Sequence, residues 1–84
     1  MYYVYILQSL KDEKFYIGSS GDLKRRIDQH QKGMVISTRH RRPLRLVCYE
    51  AYILKKEALL REKYLKTSDG RSDLHKRLKE SLKR

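Results

Sequence analysis

The chain opens on an almost unbroken apolar run, Tyr2 to Gln8, rich in aromatic and β-branched residues, and this predicts a strand. Strand geometry sends Val4 and Ile6 to one face and Tyr3, Tyr5 and Leu7 to the other. The polar stretch Ser9-Leu10-Lys11-Asp12-Glu13-Lys14 reads as a turn, and Phe15 to Gly18 returns as a second strand. The pair forms an antiparallel hairpin whose loop is slightly longer than the tightest kind. Ser19-Ser20-Gly21-Asp22 looks like a helix start: Ser19 and Asp22 have capping-box spacing, and Ser20 or Asp22 would serve equally as N-cap. Leu23, Ile27 and His30 then recur at i, i+4 and i+7, a semi-apolar helix face. Gln31-Lys32-Gly33 closes that helix, with Gly33 as C-cap.

Met34 to Pro43 is a basic loop around Arg39-His40-Arg41-Arg42, and Leu44 to Tyr52 is a third, mostly apolar strand. A helix with no Gly or Pro runs from Ile53 to about Lys66, and Thr67-Ser68-Asp69-Gly70 breaks it. Leu74, Leu78 and Leu82 repeat every four residues, which predicts a short basic amphipathic C-terminal helix with Ser72 as its cap. The order β-β-α-β-α-α predicts an α+β fold, a three-stranded antiparallel sheet flanked by helices. With 84 residues the chain reads as one domain over 1–84. A chain this short buries only about 60–65% of the surface it exposes unfolded, so its core is thin.

Charge changes the picture. Twenty-one Lys and Arg against ten Asp and Glu leave a net charge of +11, a field that draws polyanions. Nucleic acid is the default partner, because each neutralised phosphate releases counterions and adds affinity without sequence readout. The N-terminus has neither a basic lead-in nor a long apolar stretch, so no signal peptide is expected. No segment approaches the ~20 apolar residues of a membrane span, and a cytoplasmic protein is expected. The single cysteine, Cys48, sits in an apolar run and reads as a small buried hydrophobe. His30, His40 and His75 lack zinc-ligand spacing, and no Walker loop or dinucleotide glycine pattern occurs.

Several residues stand out for chemistry. Glu62 lies four residues after Ala58 and three before Leu65, so it points with the apolar stripe of its helix. A carboxylate there needs a partner. An ion pair with Arg61, Lys66 or a distant arginine is one solution, and a bound metal the other. Arg26 and His30, at i and i+4, stack on one helix face. Lys24 and Arg25 read as solvated charge, and Tyr2 and Tyr49 as cross-strand packing. The Gly18-to-Asp22 turn brings backbone N–H groups at a helix start near the hairpin tyrosines, a place that favours phosphate.

Taken together, these residues resemble the GIY-YIG nuclease superfamily, in particular its small single-domain bacterial branch. Tyr3-Val4-Tyr5 stands at the first triplet and Tyr16-Ile17-Gly18 is the second triplet unaltered. Asp22-Leu23-Lys24-Arg25-Arg26-Ile27 is similar to the family's first-helix segment, and Ala58-Leu59-Leu60-Arg61-Glu62 to its later helix. Tyr3 replaces the first glycine, Ser19 stands where DNA-repair members carry lysine, and the asparagine some members carry after the glutamate helix has no clear counterpart. The resemblance implies a DNA endonuclease using a single divalent ion, Mg²⁺ or Mn²⁺, held by Glu62. It implies catalytic roles for Tyr5, Tyr16, Arg26 and His30, with Tyr5 helping to deprotonate the attacking water. Gly18, Ser19, Lys24, Arg25, Arg39, Arg41 and Arg42 are the expected nucleic-acid contacts. DNA is the expected substrate with RNA left open, and a partner protein is one source of specificity. Two other readings stay open: a non-catalytic nucleic-acid binder on the same scaffold, and an interaction module whose partner docks on Leu74, Leu78 and Leu82.

Overall fold

A computed structural model describes residues 1–82. Strands β1 (Tyr2–Ser9), β2 (Phe15–Ser20) and β3 (Leu44–Tyr52) form one antiparallel sheet in the order β2-β1-β3. Helices α1 (Leu23–Gln31), α2 (Lys55–Leu65) and α3 (Ser68–Arg77) pack on it, with a short 3₁₀ turn at Arg39–Arg41. The first strand lies in the middle, which explains its continuous apolar run: both of its faces are covered. Val4 and Ile6 join Phe15, Ile17, Ala58, Leu65, Leu74 and Leu78 in a core under α2 and α3. Tyr5, Leu7 and Leu44 form a second, smaller core with Tyr16, Leu23 and Ile27 under α1. Each fully buried aliphatic side chain contributes about 1.5–3 kcal/mol, so this thin double core depends on few residues.

Local chemistry sets the ends of α1. Asp22 is its N-cap, accepting from Arg25 N at 3.1 Å, and the second strand runs on to Ser20 rather than ending at Gly18. The backbone N–H of Arg25 is therefore satisfied by Asp22 and is not open to an anion. At the other end Gly33, at φ 76°, lets Gly33 N reach His30 O and Met34 N reach Gln29 O. This is the paired closure that a left-handed glycine allows.

Two expectations need correction. Thr67-Ser68-Asp69-Gly70 does follow the end of α2 at Leu65, but it is not a linker: α3 already begins at Ser68. Thr67, not Ser72, caps α3 by accepting from Gly70 N at 3.1 Å, and its hydroxyl donates to Tyr64 O at 2.6 Å. Gly70 is there for space, since a Cβ on it would lie 2.1 Å from Tyr64 O. The leucine repeat is also spent differently. Leu74 and Leu78 are buried in the larger core and Leu82 packs against it beyond the end of α3, so this stripe is not a free docking face.

The third strand carries a bulge that its sequence did not advertise. Ile6 pairs with Cys48 but Leu7 pairs with Leu46, leaving Val47 extra. The inserted residue lets Val47 and Cys48, neighbours in sequence, both pack against the larger core. Burial raises the Cys48 thiol pKa, in keeping with a packing role.

Candidate active site

The central strand β1 meets the edge strand β2 at the Tyr5↔Gly18 pair. Alternation along the second strand puts Tyr16 and Gly18 on the α1 side and Ser19 on the α2 side. Gly18 has no side chain, and the Tyr5 phenol occupies the vacant space: a Cβ on Gly18 would lie 2.5 Å from Tyr5 Oη. The expected nucleic-acid contact at Gly18 is thus a buried seat for Tyr5.

Above that seat lies a fully buried polar chain. Tyr5 Oη is 2.8 Å from His30 Nε2, and His30 Nδ1 is 2.7 Å from Thr38 Oγ1. Tyr5 is 1% exposed, His30 and Thr38 not at all. The Tyr16 ring stands 5.1 Å from the His30 ring and 6.5 Å from that of Tyr5. Burial, reinforced by the nearby Arg26 charge, lowers the His30 pKa to about 4, so the imidazole is neutral at physiological pH. Burial raises the Tyr5 pKa, partly offset by the Arg26 guanidinium beside it, with Tyr16 and the Glu62 carboxylate adding to the rise. Thr38 went unnoticed in the sequence, because a threonine in a basic loop carries no periodic signal.

Glu62 reaches the same region around the β2 edge. Ser19 Oγ donates to Glu62 Oε1 at 2.5 Å, and Lys66 Nζ is 2.8 Å from Glu62 Oε2. Only 17% of the Glu62 side chain is exposed. Desolvation raises its pKa, but the bonds from Lys66 and Ser19 outweigh that and leave it lowered, hence ionised at neutral pH. Of the ion pairs open to Glu62, Lys66 is the one formed. Arg61 is instead committed to Glu50, at 2.9 and 3.1 Å. Arg26 donates to Gln29 Oε1 at 3.1 Å and, with Tyr2, Ser19, Ser20, Asp22, Arg25 and Gln29, lines a shallow cleft of about 320 Å³.

Tyr5, Tyr16, Arg26, His30 and Glu62 are thus brought together around Gly18 and Ser19. Exposed Lys24 and Arg25 flank them on the first turn of α1. Arg39, Arg41 and Arg42 are not in this cleft. They lie past the far end of α1, whose nine residues span about 14 Å. Arg41 Nη2 donates to Phe15 O at 3.4 Å and Arg42 Nε to Arg39 O at 3.0 Å, so both also hold the loop in place. There Arg39 and Arg42 share a second shallow depression with Lys11 and His40.

Among the described residues no three His, Cys, Asp or Glu side chains group to cage a metal. The donors at Glu62 are one ionised carboxylate and one hydroxyl. That set fits Mg²⁺ or Mn²⁺, hard ions that keep several waters and bind through one or two carboxylates plus substrate phosphate.

A three-stranded antiparallel sheet with a tyrosine hairpin, an arginine-bearing helix and a glutamate-bearing helix meeting at one strand edge defines a small α+β protein with a polar edge cleft. The chain belongs to the GIY-YIG family: the GIY-YIG catalytic domain matches residues 1–80. It is 45% identical over 67 residues to the UPF0213 protein CPE1444 of Clostridium perfringens, covering 79% of this chain and 71% of that protein. It is 40% identical over 67 residues to the UPF0213 protein SSP2268 of Staphylococcus saprophyticus, covering 79% and 80% of the two chains. The solution NMR structure of the UPF0213 protein BH0048 from Bacillus halodurans matches with a TM-score of 0.55 at 38% identity, over 88% of this chain and 82% of that one. The family belongs to a nuclease superfamily, and the α+β architecture agrees with that neighbour. Among the described residues no helix is long and apolar enough to cross a membrane.

Proposed function

We propose that the protein is a metal-dependent DNA endonuclease that hydrolyses phosphodiester bonds at the cleft beside Ser19 and Arg26. The observation that carries this reading is the convergence of an ionised Glu62, fixed by Ser19, with Arg26 and two tyrosines at one strand edge. Glu62, with Ser19 beside it, would hold a single Mg²⁺ or Mn²⁺, Lys66 giving up Oε2. Such an ion supplies Lewis-acid polarisation of the scissile phosphate. Arg26 reaches into the cleft and stabilises negative charge that builds on the phosphate oxygens. Burial assigns the two phenols different work. Tyr5, nearly inaccessible and with its pKa raised, stays a neutral phenol, whereas Tyr16 is only half-buried. Among the described residues no hydrogen bond occupies the Tyr16 hydroxyl, which leaves it free to orient the attacking water. Tyr5 and His30 act behind it, holding Arg26 and Tyr16 in place.

Lys24 and Arg25 at the cleft and Arg39 and Arg42 about 14 Å away offer phosphate contacts along α1, a span of about four base steps. DNA is the proposed substrate. The test is nicking of supercoiled plasmid by purified protein with Mn²⁺, with Mg²⁺ and with EDTA. Nicking with either ion and none with EDTA is expected; cleavage undiminished by EDTA would overturn the metal role.

The Glu62–Lys66 ion pair favours a second reading, because it gives the carboxylate a partner without any metal. On that reading the scaffold is a non-catalytic nucleic-acid binder. It predicts salt-sensitive binding with no turnover under any of these conditions.

A further inference from the structure

The buried chain Thr38–His30–Tyr5 has a direction, and chemistry decides it. A neutral imidazole carries one N–H and one bare nitrogen, so either Nδ1 or Nε2 is the donor. Tyr5 is 1% exposed, so its hydroxyl hydrogen must find a partner inside the protein. Among the described residues the one acceptor bonded to Tyr5 Oη is His30 Nε2. The other polar group beside the phenol is Arg26, which has donors alone and acts on the Tyr5 oxygen through a hydrogen bond and through its charge. If Nε2 carried the proton, Tyr5 would receive that N–H and its own hydrogen would be left facing guanidinium donors. The opposite tautomer withholds a bare nitrogen only from the Thr38 hydroxyl, a weaker donor than a phenol.

We infer that Thr38 is a positioning residue: its hydroxyl accepts the Nδ1–H of His30, and this tautomer lets Tyr5 donate to Nε2 and turn its lone pairs toward Arg26. Thr38 is well placed to be a fixed partner. It is fully buried, its N–H donates to Val35 O at 3.1 Å, and its carbonyl accepts from Arg41 N at 2.9 Å, which anchors it at the 3₁₀ turn. The basic loop is therefore joined to the cleft through a hydrogen-bond chain as well as flanking it with charge. The tautomer assignment is independent of the proposed function; the consequence for catalysis rests on it, through Arg26.

The experiment is ¹⁵N NMR of histidine-labelled full-length protein at neutral pH, on wild type, Thr38→Val and Thr38→Ser. Wild type should show His30 with a protonated Nδ1 and a bare Nε2. Thr38→Val removes the acceptor at nearly constant shape and should shift His30 toward the Nε2–H form, while Thr38→Ser should restore the wild-type pattern. In a cleavage assay Thr38→Val should lower kcat about tenfold with KM unchanged, the rate equivalent of one lost hydrogen bond. A protonated Nε2 in wild type, or a Thr38→Val spectrum identical to it, overturns the proposal. If wild type cleaves nothing but the tautomer follows Thr38 as described, the endonuclease reading fails and the tautomer assignment stands.

Discussion

Replacing Gly18 with alanine is the sharpest probe of how the cleft is assembled. The added methyl would sit 2.5 Å from Tyr5 Oη and 2.6 Å from Cζ, well inside contact distance. The phenol is pinned by its bond to His30 and by Leu7 and Leu44 in the smaller core, so it cannot swing away freely. Overpacking of this kind costs about 1–3 kcal/mol. Loss of the buried Tyr5–His30 hydrogen bond adds about 1 kcal/mol. A total of about 2–4 kcal/mol is a large part of the roughly 4–12 kcal/mol expected for 84 residues. Gly21 provides the control: a Cβ there would meet the Tyr2 ring at 3.5 Å, ordinary contact, so Gly21→Ala should change stability by less than about 1 kcal/mol. Urea unfolding followed by far-UV circular dichroism measures both. Equal midpoints for the two variants would refute the packing argument, as would an unperturbed His30 resonance in Gly18→Ala.

Three further outcomes follow from the same geometry. His30 has its pKa lowered to about 4 in the folded protein against 6.5 for the ordinary group, so the unfolded chain binds the extra proton first as pH falls. Its contribution is intact above about pH 6.5 and declines toward pH 4 by about 3 kcal/mol, a loss that His30→Gln should flatten in a pH series of urea midpoints. Arg61→Ala removes the two-point bond to Glu50, leaving a carboxylate that is 19% exposed with Tyr52 and Arg77 as its remaining partners among the described residues. Its thermal midpoint should fall by the equivalent of about 1–2 kcal/mol, and an unchanged midpoint would mean that the pair is ornamental. Gly70→Ala drives a Cβ into the Tyr64 carbonyl and should destabilise more than Gly18→Ala, since backbone cannot step aside as a ring can; a milder effect than Gly18→Ala would show that the α2–α3 corner is loosely packed.

Much of this arrangement is legible from the residues alone. The opposite facing of Val4 and Ile6 against Tyr5 and Leu7 follows from strand alternation, and each set nucleates its own core. Ala58 and Leu65 are inward because helical periodicity puts them there, and both are fully buried. What escaped notice depends on tertiary contacts. Gly70 reads as a breaker by propensity, yet it serves a close helix crossing that only the packed molecule reveals. Val47 looks like any strand residue, because a bulge alters the pairing partner and not the composition. Thr38 becomes significant only when the chain folds it against His30, eight positions earlier. The arginines of the 34–43 loop look like one basic patch with Lys24 and Arg25, and the length of α1 separates them.

The central claim is that Glu62 performs chemistry beyond pairing with Lys66. Cleavage and binding of the same labelled DNA should be measured side by side for wild type and Glu62→Ala, with Mn²⁺ present. Wild type should cut, and Glu62→Ala should bind with similar affinity while its cutting falls to background. Equal cutting by both proteins, or tight binding by both with no cutting by wild type, would contradict the account.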